Sequence, residues 1–214
     1  MPPGHTSRQG SDTAVTGSPG TAPAVGRRVR LRPITPRDYE ELYVIATEPA
    51  AGLLWRYRGA TPGPEAFVRH LWEGVLVQRL VVERDRGRTL GLVGLGSADL
   101  VAGHASCFAY LRADALGQGL GVEAVVLLLE EAFQIWPLEK VYFEVPGFGL
   151  PQFRSAVGRY VFEEGRLRAH AWAMGRHWDL HVLALTRATW EGPGRRLRTW
   201  VHAGTRHGRH VHRG

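Results

Sequence analysis

The segment at positions 116–121 has the sequence Leu-Gly-Gln-Gly-Leu-Gly and lies between a predicted strand and a predicted helix. The first N–H groups of a helix have no partner inside the helix, so they can hold an anion, and glycines let the backbone come close to it. The segment therefore predicts a phosphate or pyrophosphate site; the alternative is that the glycines only permit a tight turn. The amides that would form the site belong to Gly117, Gln118, Gly119, Leu120, Gly121 and Val122.

The sequence excludes other common kinds of site. The Gly-x-Gly-x-x-Gly spacing of dinucleotide-binding folds is not met, and the terminal Gly-Lys-Ser/Thr of a P-loop is absent. The chain has one cysteine, Cys107, which excludes an internal disulfide and a multi-cysteine metal site. We expect Cys107 to be a small buried residue in a strand rather than a nucleophile, and we expect no metal.

Strand and helix patterns alternate around the glycine segment. The strand at 105–112, the helix at 122–135 and the strand at 141–145 follow one another, so the two strands should be parallel neighbours. The whole pattern predicts an α/β domain with a mixed sheet of six to seven strands and four helices. The other predicted strands are at 29–33, 76–83, 89–100, 165–174 and 177–186. Of the other three helices, one follows the cap at 35–38, one follows the loop at 61–64 and one covers 151–160.

Both ends of the 214-residue chain differ in composition from its middle. Residues 1–26 are rich in Gly, Ser, Thr and Pro, and residues 192–214 are rich in Arg, His and Gly, so we expect both to be disordered around one domain at 27–191. Residues 195–214 hold six arginines and no acid, so the net charge of +7 belongs mainly to the tail. The tail could bind metal, RNA or acidic lipid, but a solvated tail is expected, and a nucleic acid partner is not.

The sequence also bears on location. No apolar run reaches the roughly 18 residues that a membrane-spanning helix needs. The first residues contain no apolar core of the kind found in a secretory signal. We therefore expect a cytoplasmic protein that does not associate with a membrane.

Two further motifs, with the glycine segment, resemble those of a known family. The first strand reads Val-Arg-Leu-Arg-Pro at 29–33 and is followed by Asp38. The predicted closing hairpin and the residues after it contain Glu164-Gly165-Arg166-Leu167-Arg168, His170, Gly175-Arg176, Asp179 and Trp190. Over about residues 28–190 the chain resembles the GNAT superfamily of N-acetyltransferases, and within it the group that acetylates the N-termini of ribosomal proteins.

The resemblance implies a GNAT fold, whose sheet has a V-shaped opening between two splayed parallel strands, here 105–112 and 141–144. Acetyl-CoA would lie in this opening as the co-substrate, with its pyrophosphate at the glycine segment. Backbone groups near Tyr110 and Leu111 would bind the pantetheine and polarise the thioester carbonyl. The acceptor amine would attack that carbonyl directly, while a base takes its proton and an acid protonates the CoA thiolate.

The resemblance also points to candidate catalytic residues. Glu144 occupies the position of the general base in the alanine-specific members of the family; the alternative is a strand-end carboxylate that pairs with an arginine such as Arg154. Where family members carry a tyrosine as the acid, this chain has Ala156. Ser155 and Tyr160 are therefore the candidate acids, and the alternative is that no dedicated acid exists.

The chain departs from the family at two other positions. Leu116 replaces an Arg or Gln that helps to seat the phosphates, and Gln118 could compensate. Gly149 replaces an asparagine at the start of the helix after the last parallel strand. CoA binding through backbone amides is thus better supported than catalysis by the family's usual residues.

The acceptor is less clearly marked in the sequence. Residues 56–59 fall where the family binds its acceptor, and their arginines would suit a carboxylate or phosphate, although a solvated loop is the alternative. His170, His177 and His181 could line the acceptor pocket, or they could be ordinary strand residues.

Together these features predict an acetyltransferase that acts on a primary amine of a small molecule, a peptide or a protein N-terminus. The alternatives are a domain that binds CoA or a partner without turnover, and an enzyme that uses another acyl-CoA. An exposed edge strand in the closing hairpin could pair two subunits as a homodimer.

Overall fold

The computed structural model describes residues 24–48, 57 and 60–203. These residues form one eight-stranded sheet in the order β1-β2-β3-β4-β5-β6-β8-β7, in which β5 and β6 are parallel and all other neighbours are antiparallel. The strands are β1 (Ala24–Val25), β2 (Val29–Arg32), β3 (Val75–Glu83), β4 (Thr89–Asp99), β5 (His104–Leu111), β6 (Lys140–Pro146), β7 (Phe162–Ala173) and β8 (Arg176–Thr186).

Helices cover both faces of the sheet. The described part of the chain contains α1 (Tyr39–Thr47), α2 (Pro64–Leu71), α3 (Leu120–Ile135), α4 (Arg187–Glu191) and α5 (Arg195–His202). On one face, α3 buries Leu127 and Leu128 in a large apolar cluster. On the other face, Ile45 of α1 and Phe67 of α2 are buried in a second cluster. The sheet therefore separates two apolar layers, and the candidate site lies where its strands part.

The sheet opens between its two parallel strands. β5 and β6 pair at His104–Lys140, Ala105–Val141 and Ser106–Tyr142, and the pairing ends there. Beyond this point β5 continues to pair with β4, and β6 continues to pair with β8. The two strands thus splay toward their carboxyl ends, as the V-shaped opening requires.

A capped turn fixes the start of α1 beside β2. The carboxylate of Asp38 accepts hydrogen bonds from the Thr35 N–H (2.7 Å), the Thr35 hydroxyl (2.8 Å) and Arg32 Nη1 (2.8 Å). The bonds from Arg32 are the largest cause that lowers the pKa of Asp38, from its usual 3.8 to about 2. The cap predicted at 35–38 is confirmed, and the Arg32–Asp38 pair ties α1 to β2.

Most of the predicted elements are present. The seven predicted strands correspond to β2 through β8 with small shifts at their ends, and three of the four predicted helices correspond to α1, α2 and α3. The helix predicted over 151–160 is wrong: Gly147–Phe153 form a 3-10 helix, and turns follow it. Gly158 lies within the predicted range and has a positive φ of 77°, which an α-helix does not allow, so it accounts for part of the difference.

Both predicted disordered ends extend too far into the chain. Ala24 and Val25 form β1, which pairs with Leu31 and Arg30 and adds an eighth strand. At the other end, α5 is an ordered helix because Val201 is buried and two apolar neighbours, Leu197 and Trp200, pack against the core. The rest of the predicted leader and tail, 1–23 and 204–214, lies outside the described residues.

The described ranges lack two kinds of feature. No helix there is long and apolar enough to cross a membrane. The same residues contain no group of three or more His, Cys, Asp or Glu side chains placed to hold a metal ion.

Candidate functional site

The glycine segment forms a turn that opens α3. Gly117 and Gly119 have positive φ angles of 73° and 76°, and Gly119 is the left-handed N-cap of the helix. Within the described structure, the N–H groups of Leu120, Gly121 and Val122 donate to no protein acceptor, whereas Glu123 N–H bonds to Gly119 O. Three N–H groups at the positive end of a 16-residue helix are therefore available to an anion.

The third glycine brings α3 close to the end of β5. A Cβ atom on Gly121 would lie 3.1 Å from Leu111 Cδ1, so a larger residue would push the helix away from the strand. Leu111 is the last residue of β5, where the sheet has already opened. The turn that the sequence predicts to bind an anion thus lies beside the opening.

A buried carboxylate fixes the first turn of α3 to the start of β2. Glu123 is 0% exposed, and its Oε1 accepts hydrogen bonds from the N–H groups of Arg28 (2.7 Å) and Val29 (3.1 Å). The Arg28 side chain returns to the turn, where it donates to Gln118 O and lies 3.9 Å from Glu123 Oε2. No local pattern in the sequence indicates this arrangement, because Arg28 and the turn are distant in the chain.

The side chain expected to compensate for Leu116 is directed elsewhere. The Gln118 amide donates to the backbone oxygen of Asp114, so the side chain folds back on its own turn. Leu116 is partly buried against the large cluster and carries no charge. Of the residues near the turn, Arg28 is the cation that contacts it, and sequence analysis missed this residue.

The backbone of β5 determines which groups face the opening. Arg112 N–H donates to Leu90 O at 2.8 Å, and Tyr110 pairs with Leu92 of β4. Backbone groups alternate in direction along a strand, so Tyr110 points its N–H and C=O toward β4, while Ala109 and Leu111 point theirs toward the opening. Leu111 therefore directs its backbone groups into the opening, whereas Tyr110 directs its backbone groups toward β4. The roles of both residues in binding CoA stay predictions.

Aromatic side chains line the α1–α2 face beside the opening. Phe108 lies against Gly94, where a Cβ atom would approach Phe108 Cζ to 2.4 Å, and it stacks on Tyr110 with ring centroids 5.4 Å apart. A small cavity on this face is lined by uncharged residues, namely Tyr57, Phe67, Leu71, Gln78, Leu92, Phe108 and Tyr110. Of the predicted acceptor segment, Tyr57 lines this cavity, and residues 56, 58 and 59 lie outside the described residues.

Glu144 lies on β6 at the other side of the opening. It is exposed and pairs with Val182 of β8, whereas its neighbours Phe143 and Val145 are buried in the large cluster. Side chains alternate along a strand, so Glu144 lies on the same face as Phe108 and Tyr110. Both Glu144 and Arg154 are described, and they form no ion pair with each other; the role of Glu144 as a base stays a prediction.

The two candidate acids differ in their surroundings. Ser155 is exposed in the turn after the 3-10 helix, and Tyr160 is 8% exposed beneath Arg159, whose guanidinium lies 5.0 Å from the ring centroid. Neither residue lies on β5 or β6. Their roles as acids stay predictions.

The three histidines do not line the aromatic cavity of the described structure. His181 pairs with Val145, so it lies on the α3 face, where its Nδ1 is 3.1 Å from Glu163 Oε1. His170 and His177 are exposed on the closing hairpin. The hairpin also contains Asp179, whose pKa is lowered by hydrogen bonds from Ala169 N–H and from Arg166.

Cys107 has the environment expected of a structural residue. It is buried in the large cluster on β5. Burial raises the pKa of its thiol to about 12, so the thiolate is strongly disfavoured. Cys107 is thus an inert part of the core.

The opened mixed sheet, with helices on both faces, defines the class of α/β fold that the sequence resemblance implied. The family model described as "Acetyltransferase (GNAT) domain" matches residues 28–146, which is more than half of the chain. The chain therefore belongs to the GNAT acetyltransferase family. A search of curated protein sequences finds no match.

Solved structures agree with this fold. A putative acetyltransferase from T. thermophilus has a TM-score of 0.67 and 22% identity, covering 88% of this chain and 100% of that one. A probable acetyltransferase from Chromobacterium violaceum has a TM-score of 0.65 and 21% identity, covering 90% and 100%. A spermidine N-acetyltransferase from Vibrio cholerae in complex with CoA and spermine has a TM-score of 0.65 and 17% identity, covering 77% and 99%.

Proposed function

We propose that the protein transfers an acetyl group from acetyl-CoA to a primary amine. The observation that carries this proposal is the turn at Gly117–Val122, whose free N–H groups lie beside the opening between β5 and β6. The amides would hold the pyrophosphate, and the backbone of Leu111 would direct the thioester into the opening. Acetyl-CoA supplies the activated acyl group.

Glu144 is the proposed base. It lies on the face that also contains the aromatic cavity, so an amine bound there could give its proton to this carboxylate. The nitrogen would attack the thioester carbonyl, and loss of the CoA thiolate would complete the transfer. Protonation of the thiolate is assigned to Tyr160 or Ser155 only as an expectation of the family resemblance.

The cavity has room for about one water molecule, so the side chains around it, rather than the cavity itself, suggest the kind of acceptor. Its seven described lining residues are aromatic, aliphatic or amide side chains, with no carboxylate among them. A polyamine carries several positive charges, which are best bound by carboxylates, whereas an apolar group is stabilised by this lining. We therefore propose a small-molecule or peptide amine that carries an aromatic or aliphatic group near its nitrogen.

The remaining expectations extend this proposal. The motif in the closing hairpin is consistent with the group that acetylates ribosomal-protein N-termini, and a cytoplasmic location would suit that activity. β7 lies at the edge of the sheet with Leu167 and Trp172 exposed, so it could pair two subunits.

Calorimetry with CoA tests the cofactor site. Gly119→Glu places a carboxylate at the turn, so we expect CoA binding to be lost. Gly74→Glu is the matched control, because Gly74 also has a positive φ of 66° but precedes β3 at the end of the sheet where β5 and β6 still pair. If the wild-type protein did not bind CoA, or if Gly119→Glu bound it as well as the control, the proposed site would be wrong.

Release of free CoA thiol across a panel of amines tests the transfer. We expect turnover with 2-phenylethylamine to exceed turnover with spermidine. Glu144→Gln should lower kcat by about 100-fold, the lower range for loss of general base catalysis. Glu191→Gln, an exposed change at the end of α4, should leave the rate unchanged. Equal rates for the two variants would remove Glu144 from the mechanism, and CoA binding without turnover on any amine would refute the transfer.

A further inference from the structure

The side chain of Arg28 lies at the glycine turn, although Arg28 itself immediately precedes β2. Its Nη2 donates to Gln118 O, and a Cβ atom built on Gly119 would lie 3.5 Å from the same nitrogen. Gly119 is the cap whose next three residues have free N–H groups. The guanidinium is therefore next to the position where an anion would bind.

Arg28 is held in this position through its backbone. Its own N–H donates to the buried Glu123 carboxylate at 2.7 Å, and the N–H of the next residue, Val29, donates to the same oxygen. Since Glu123 lies in the first turn of α3, the carboxylate fixes the backbone of Arg28 relative to the turn. A cation placed in this way needs little rearrangement to bind a ligand.

The guanidinium still has donors to offer. An arginine side chain has five N–H donors, and the bond to Gln118 O uses one of them. The side chain is 47% exposed, so ligands can reach it. The nearby acid Asp114 is already paired, because its carboxylate lies 2.6 Å from Arg88 Nη1 and 3.7 Å from Arg112 Nε.

The side chains of the glycine segment supply no positive charge for a bound anion. Leu116 and Gln118 place no cation there. Glu123 is buried; its Oε1 accepts from the N–H groups of Arg28 and Val29, and its Oε2 lies 3.9 Å from Arg28 Nε. A pyrophosphate bound only by neutral amides would keep its charge uncompensated, whereas a guanidinium forms two parallel hydrogen bonds with phosphate oxygens. Arg28 is the side chain that can supply both the charge and this geometry.

We infer that Arg28 binds the pyrophosphate of CoA and takes the place of the side chain that Leu116 lacks. This inference rests on the proposed function, because it assumes that CoA occupies the turn. It adds a phosphate-binding residue that comes from the bend between β1 and β2 rather than from the glycine segment. Glu123 acts as its positioning residue.

Calorimetry with CoA and with 3′-dephospho-CoA tests the inference. Arg28→Gln should raise the Kd of both ligands by about 10- to 100-fold, as expected for loss of a hydrogen bond to a charged group. Arg28→Lys keeps the positive charge but loses the two parallel N–H donors of the guanidinium, so we expect an intermediate loss of affinity. Arg86→Gln is the matched control, because Arg86 is 75% exposed in the β3–β4 turn and the change in net charge is the same.

Each result has a distinct meaning. An equal loss of affinity for CoA and 3′-dephospho-CoA in Arg28→Gln supports contact of Arg28 with the pyrophosphate. A loss confined to CoA would assign Arg28 to the 3′-phosphate, and an Arg28→Gln variant that binds like the control would remove it from the site; either result overturns the inference. Thermal denaturation of each variant checks that the fold is intact. If the wild-type protein binds neither ligand, the proposed function fails instead.

Discussion

Replacing Glu123 with alanine should destabilise the protein strongly, because one buried oxygen serves two backbone groups. The N–H groups of Arg28 and Val29 both donate to Glu123 Oε1, and Val29 is 0% exposed, so water cannot readily take the place of the carboxylate. Each buried N–H left without an acceptor costs about 1–3 kcal/mol, or roughly 2–6 kcal/mol for the pair.

The change also removes a carboxylate that is itself costly to bury, and this offsets part of the loss. We therefore expect Glu123→Ala to lower the free energy of unfolding by about 2–3 kcal/mol, which corresponds to roughly 4–12 °C in Tm for a domain of this size. Glu123→Gln keeps an oxygen at the same position, so its loss should stay below about 1 kcal/mol.

Urea denaturation followed by fluorescence of the seven tryptophans measures both effects. Gln134→Ala, an exposed change near the other end of α3, controls for a substitution in the same helix. The reasoning is refuted if Glu123→Ala loses less than about 1 kcal/mol, or if the alanine and glutamine variants lose the same amount.

Three further outcomes are expected. Asp38→Asn should lower the free energy of unfolding by about 2 kcal/mol at neutral pH, because the pKa of Asp38 is lowered from 3.8 to about 2 in the folded state. The difference in stability from wild type should shrink as the pH falls from about 4 toward 2. A difference that stayed constant over this range would contradict the role of the Arg32–Asp38 pair. A maleimide probe should label Cys107 at neutral pH only after denaturation, because burial raises the pKa of the thiol to about 12; rapid labelling of the native protein would be inconsistent with this. Val201→Asp should cost about 3 kcal/mol, whereas Arg196→Asp on the exposed side of α5 should cost less than about 0.5 kcal/mol, and equal effects in denaturation would show that α5 is not part of the core.

The sequence was most informative where local pattern and tertiary packing agree. The strands from β2 to β8 and the helix α3 follow from apolar periodicity, and the cap at Asp38 follows from residue type and spacing. The turn at 116–121 was predicted from glycines that the structure places at positive φ and at close contacts. In each case a local requirement, such as apolar spacing, a capping side chain or a positive φ angle, restricts which residue type can occupy the position.

Composition alone was misleading at the C-terminus. α5 contains Arg195, Arg196 and Arg198, and their charge suggested a solvated tail. The signal for a packed helix was nevertheless present, because Leu197, Trp200 and Val201 recur at helical spacing on one face. Arginines on the opposite face do not prevent such a helix from packing.

The least predictable part of the site depends on contacts between distant segments. The position of Arg28 at Gln118 O depends on the packing of β2 beside α3, and no local pattern encodes it. The directions in which the backbone N–H and C=O groups of Tyr110 and Leu111 point likewise depend on the register between β4 and β5. Sequence analysis identified the turn and the opening, but not the cation that accompanies them.

The contact between Arg28 and the turn has a consequence for synthesis of the chain. Arg28 and Gln118 are 90 positions apart. At typical rates of translation, Arg28 is therefore made roughly 5 to 20 seconds before α3, the helix that fixes it, is complete. During that time β2 has no α3 to pack against, and the Glu123 carboxylate does not yet exist. The turn and Arg28 therefore come together only after α3 has left the ribosome, so the proposed pyrophosphate site stays incomplete until five of the eight strands have been synthesised.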